Sequence, residues 1–378
     1  MDISNDSKEK LTQYLHFLEQ DPNNFNLLLS VSDSYRQLGD FASAQLYLDK
    51  AKKIDSEGCF AQQGIIDLNL GHFEEAKDAL HKALLKEDLP ILRYGLAVCY
   101  YSLQEINKGI EVLSPLLAHG SSTYEVELLM AKLLHQSNRL DEAVKSLETT
   151  IENHGQSGEA LALLAQLYFD GNEVELADDA AKQALVISPN NYEAQILRIL
   201  LHLTDGDATL EQINKLLAKE TKDARLWFAL GTIHLRELSL HSAEEAFLKA
   251  AELEPLFCDN WISLGWCQLF LDKLSEAENS YKQAIQIYEE SPESWGGLAL
   301  VYALRGEIQK ATTMIKKAKD LDSHCFLADI ARIIVSQHSD PDEAGKQFNQ
   351  TFPAVADKIN AAMAIVLAEM DNRSSTLH

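Results

Sequence analysis

The stretch Asn260–Phe270, NWISLGWCQLF, sets two tryptophans five residues apart. On a helix each residue turns about 100°, so Trp261 and Trp266 point roughly 140° apart. One helix seldom carries two large aromatics on different faces unless both faces meet something. Trp261 shares its face with Leu264, Gly265 and Gln268, whereas Trp266 lies on a stripe with Ile262, Leu269 and Phe270.

Working outward, Trp227, Trp261 and Trp295 recur at intervals of 34 residues, and the same residue types return around each. The first unit reads Trp227, Leu230, Gly231, Ala243, Phe247, Ala250 and Pro255. The second reads Trp261, Leu264, Gly265, Ala277, Tyr281 and Ala284, and the third Trp295, Leu298, Ala299, Tyr302, Ala311, Ile315 and Ala318. Small residues at fixed places let two antiparallel helices approach closely, and a large residue beside them fills the space between neighbouring hairpins. This pattern resembles the tetratricopeptide repeat, W-x2-L-G-x2-Y followed by A-x3-F and a late Pro. The resemblance implies helical hairpins that cannot bury their apolar faces alone and therefore stack.

More degenerate copies start at Phe25, Glu57, Pro90 and near Tyr124, and a cleaner one runs through Leu161, Leu164, Ala165, Tyr168, Ala177, Ala184 and Pro189. The expectation is an all-α, right-handed α-solenoid of about ten tetratricopeptide-like hairpins with terminal capping helices. An N-terminal capping helix falls in 1–24, with Tyr14, Phe17 and Leu18 on its apolar face. Repeats then fill 25–191, and the Trp-rich repeats fill 224–324. An eroded repeat and capping helix occupy 325–370, with Ala344 and Phe348 on the eroded second helix, before a flexible tail at 371–378. The last helix has the stripe Val355, Ile359, Met363, Val366 and Met370, spaced for one helical face. Pro115 falls inside a second helix, where it removes a backbone hydrogen bond and should kink it. Segment 192–223 is the weakest copy, with Arg198, Ile199 and Glu211 at close-packing positions, and reads either as a joint or as ordinary drift.

The formal charge of −25, from 33 basic against 58 acidic residues, repels phosphate backbones and anionic lipid. Nucleic acid and membrane are therefore not expected partners, and the opening MDISNDSKEK has no apolar run of a secretory signal. Five cysteines with no CxxC pair read as reduced core thiols of a cytoplasmic protein. No HExxH, GxSxG, P-loop or dinucleotide fingerprint occurs, so neither enzyme activity nor a cofactor or metal is expected.

In the family this chain resembles, certain first-helix positions line the concave surface where partner segments bind. Here they place Phe228, Thr232 and Leu235, then Ile262, Trp266 and Phe270, then Leu300, with Tyr94 and Tyr101 on the mixed N-terminal stretch. Trp261 and its counterparts Trp227 and Trp295 are expected in the packed core, and Trp266 as the binding anchor, since Trp and Tyr dominate binding hot spots. The family's carboxylate clamp needs Lys or Arg and Asn at two of these positions, and no unit carries the pair. The implied role is a protein-interaction scaffold holding a peptide or helix of another protein. The alternatives are a chaperone for a secreted or assembling client and a self-associating element that forms a homo-oligomer.

Overall fold

The computed structural model describes residues 3–118, 122–203, 210–339, 346–347 and 350. Among the described residues the elements are helices joined by tight turns. By internal contacts the chain forms two compact units that meet between Leu197 and Arg198, inside the weak copy at 192–223.

In the first unit α1 (Ile3–Gln20) packs on the hairpin α2 (Phe25–Gln37) and α3 (Phe41–Lys52). The following hairpins are α4 (Phe60–Leu70) with α5 (Phe73–Leu84), and α6 (Pro90–Ser102) with α7 (Ile106–Ala118). Then come α8 (Tyr124–Gln136) with α9 (Leu140–His154), and α10 (Gly158–Asp170) with α11 (Val174–Ile187). Helix α12 (Tyr192–Leu201) carries the division between the units. The second unit holds α13 (Leu210–Leu217), then α14 (Ala224–Arg236) with α15 (Leu240–Leu253). It continues with α16 (Cys258–Phe270) and α17 (Leu274–Ile287), α18 (Pro292–Leu304) and α19 (Ile308–Leu321), and finally α20 (Phe326–Ser339). Within each unit every hairpin packs on the next through the second helix of one and the first helix of the other, so each unit is an α-solenoid.

The hairpins form for local reasons repeated along the chain. First helices are capped by side chains such as Asn24, Ser157, Asp223 and Ser291, each accepting from a backbone N–H of the first turn. They end in a left-handed residue followed by an N–H that reaches back five residues, as from Asp40 to the Tyr35 carbonyl at 2.9 Å and from Ser239 to the His234 carbonyl at 2.8 Å. Glycine fills that left-handed place at Gly39, Gly71 and Gly306, but Leu238 also adopts it, with φ +59° and its side chain exposed.

Close packing explains the small-residue positions. A Cβ on Gly265 would stand 2.8 Å from the Tyr281 ring and one on Gly297 only 2.2 Å from it, so Tyr281 is clamped between α16 and α18. Gly231 faces Phe247 in the same way at 2.8 Å. Helix α18 is apolar on all sides because α16, α17, α19 and α20 all pack against it.

Three expectations are corrected by these residues. Trp227, Trp261 and Trp295 are half-buried, not core, and the deep second-helix places of the three units are taken by Phe247, Tyr281 and Ile315. Each indole instead pins the loop before it, donating to the carbonyl six residues back: Thr221 at 2.8 Å, Pro255 at 2.9 Å and Glu289 at 2.7 Å. Phe17 of α1 is half exposed, and Leu11 and Leu18 carry the packing on α2. Four cysteines are buried as expected, but Cys258 is only partly so. Ala344, Phe348, the stripe from Val355 to Met370 and the tail at 371–378 lie outside the described residues.

Candidate functional site

Helix α16 presents Asp259, Ile262, Trp266 and Phe270 on one face, because steps of three and four residues return to the same side of a helix. Trp266 and Phe270 are one turn apart and stack with ring centroids 5.5 Å apart and planes inclined by 24°. From α20, Phe326 stacks on Trp266 at 6.4 Å and 27°. Trp266 is half-buried against the C-terminal core, while Phe270 and Phe326 are 59% and 52% exposed. The three rings therefore stack as one apolar cluster, of which Phe270 is the most exposed.

The other end of the stripe opens on a cavity of about 370 Å³ lined by Phe228, Ile262, Tyr288, Cys258, Asp259 and Glu293, among others. Desolvation by its neighbours and the nearby Glu293 charge push the carboxyl of the exposed Asp259 above its ordinary range. Among the described residues neither Asp259 nor Glu293 has a cationic partner, although neighbouring acids do: Glu244 meets Lys273 at 2.6 Å and Glu289 meets Lys317 at 3.2 Å. The groove is thus acidic at one end and aromatic at the other.

The expected site residues divide. Ile262, Trp266 and Phe270 share the α16 stripe, and Phe228 joins Ile262 at the cavity. Phe228 also packs edge-on against Phe247 at 5.5 Å, so it serves the core as well. Thr232 donates its hydroxyl to the Phe228 carbonyl at 2.9 Å, and Leu235 is half-buried on the cluster of Phe247, Leu264 and Cys267. Leu300 does not line an open groove: it is 7% exposed within the cluster that α20 completes. The reason is the close seat of α20 on α18, where a Cβ on Gly296 would stand 2.7 Å from Cys325 Sγ and 3.1 Å from the Ala328 nitrogen.

Sequence reasoning missed Phe326, Asp259 and Glu293. The Gly296–Gly297 pair signalled an unusually close helix at this place, and Asp259 falls in register with Ile262 and Trp266. Phe326 had no such signal, because its contact depends on where α20 lies.

In the first unit Tyr101 borders a separate cavity of about 380 Å³ with the pair Lys132–Glu159, at 2.8 Å, and with His135, which meets Asp170 outside the lining at 2.6 Å. Tyr94 packs on the same core cluster without lining that cavity, and burial raises its phenol above the usual range. The lining is mixed in sign, and Lys132, Glu159 and His135 already have partners, so an incoming group would displace existing contacts.

Residues 128–192 match one family model described as tetratricopeptide repeat, and residues 26–57 and 259–291 match a second with the same description. Superkiller complex protein 3 of Mus musculus is 23% identical over 296 residues, covering 72% of this chain and 19% of that protein. The Anaphase-promoting complex subunit cut9 of Schizosaccharomyces pombe is 24% identical over 295 residues, 74% of this chain and 41% of that one. The crystal structure of the APC/C hetero-tetramer Cut9-Hcn1 aligns with a TM-score of 0.48 at 14% identity, covering 92% of this chain and 81% of that one. The chain spans 19% to 41% of the length of these two curated relatives.

Proposed function

We propose, from the premise that this chain is a tetratricopeptide-repeat protein, that it is an interaction scaffold whose second unit docks a segment of another protein along α16. The observation that carries this reading is the stack of Trp266 on the exposed Phe270. Phe270 remains 59% exposed, although its ring could bury substantial apolar area in a core. Large exposed aromatic patches cost solubility and characteristically mark binding sites. Two relatives bear the names of multiprotein complexes, which supports an assembly role. Binding rather than turnover is the reading, and no residue is given a catalytic part.

The test is affinity capture from the source cell with wild type, Trp266→Ala and Trp261→Phe. Trp261→Phe keeps the groove and removes the hydrogen bond to Pro255, so it controls for stability. Loss of one partner with Trp266→Ala alone, with thermal unfolding little changed, supports docking on α16. An unchanged set of partners refutes it.

A further inference from the structure

The α16 groove is polarised, and its polarity names the chemistry of what it binds. At the end near Asp259 and Glu293 the cavity has apolar walls from Phe228, Ile262 and Tyr288. Two carboxylates line it without a cation among the described residues, in a chain whose formal charge is −25. A lysine or arginine suits such a place, because its methylene stem covers apolar wall while the charged head reaches the carboxylates. The head would relieve the mutual repulsion of Asp259 and Glu293, and the acidic surface would draw it in.

From Asp259 to Trp266 and Phe270 is seven and eleven residues of helix, or about 10 Å and 16 Å at 1.5 Å per residue. An extended chain covers that distance in about three to five residues at 3.3 Å each. There the stacked rings offer exposed faces onto which another flat or bulky apolar side chain can add.

Resting on the docking surface proposed above, we infer that its occupant is an extended segment of a partner protein carrying a lysine or arginine three to five residues from an aromatic or large aliphatic residue. The basic side chain enters the cavity at Asp259 and Glu293, and the apolar one lies on Trp266 and Phe270. Acidic segments are excluded from the same groove by the two carboxylates.

A randomised synthetic peptide library, panned on the full chain at physiological ionic strength, tests this. The expected yield is peptides with that spacing, whose binding falls about tenfold in the Asp259→Asn/Glu293→Gln double variant, as for a lost charge-assisted contact. Glu293→Lys should invert the preference toward acidic peptides, and Trp266→Ala should abolish selection. Both acids are exposed, so intrinsic tryptophan fluorescence should show these variants folded. If the selected peptides need Trp266 but show no basic preference and ignore the acid variants, the docking surface stands and the inference on its occupant falls. If no peptide is selected, or selected peptides bind Trp266→Ala equally, both fall. Sedimentation then asks whether a second copy covers the stripe.

Discussion

Tyr281 offers the sharpest test of how the second unit is built. Its ring is fully buried between Gly265 and Gly297, and its hydroxyl has no hydrogen-bond partner among the described residues. The equivalent place in the preceding hairpin holds Phe247, 1% exposed and lacking a hydroxyl, against Gly231. Burial pushes the Tyr281 phenol far up, so the fold holds it neutral around pH 7. An unsatisfied buried hydroxyl costs about 1–3 kcal/mol, and Tyr281→Phe removes that cost while keeping the ring. For a unit of this size each kcal/mol moves the midpoint by about 2–4 °C, so a rise of about 2–12 °C is expected. All four tryptophans, at 227, 261, 266 and 295, belong to the second unit, so their fluorescence follows its melting separately from the first. Gly297→Ala in the same assay should destabilise by about 1–3 kcal/mol, because its Cβ would meet the ring at 2.2 Å. A Tyr281→Phe protein less stable than wild type by more than about 0.5 kcal/mol, beyond the usual scatter of neutral changes, would refute the reasoning and show the hydroxyl to be satisfied.

Three further outcomes are expected. Leu238→Gly should stabilise by about 1 kcal/mol in thermal unfolding, since Leu238 holds φ +59° with its side chain exposed, and a left-handed non-glycine residue is strained. Glu278 is held down to about 2, first by Lys282 and then by Arg305 and Tyr302, against an ordinary value of 4.5. A carboxylate lowered on folding stabilises above its unfolded value and loses that contribution as pH falls toward the folded one. The stability gap between wild type and Glu278→Gln should therefore be widest near neutrality and narrow below the ordinary carboxylate range, read by denaturation across pH. Thiol labelling of the native chain should favour Cys258, the partly exposed cysteine, over Cys267, whose burial pushes it up to about 12; faster labelling of Cys267 would show the second unit opening locally.

The 34-residue period, the hairpin unit and the Gly–aromatic close approaches were all legible in the sequence. Each rests on a local or nearest-neighbour rule: helical periodicity, a left-handed turn after the first helix, and a glycine opposite one ring. The α16 stripe was legible for the same reason, because Ile262, Trp266 and Phe270 share a face of any helix that contains them. Tertiary structure alone decided which stripe residues stay open. Leu300 reads like Trp266 by register, yet α20 buries it, while Phe326 of that same helix completes the aromatic surface on Trp266. It also moved the repeat tryptophans from the core to the loops they pin, since their depth depends on what Phe247 and Tyr281 already occupy. A repeating sequence determines how each hairpin folds. Where one hairpin lies across another depends on packing between residues far apart along the chain, and exposure follows from that packing.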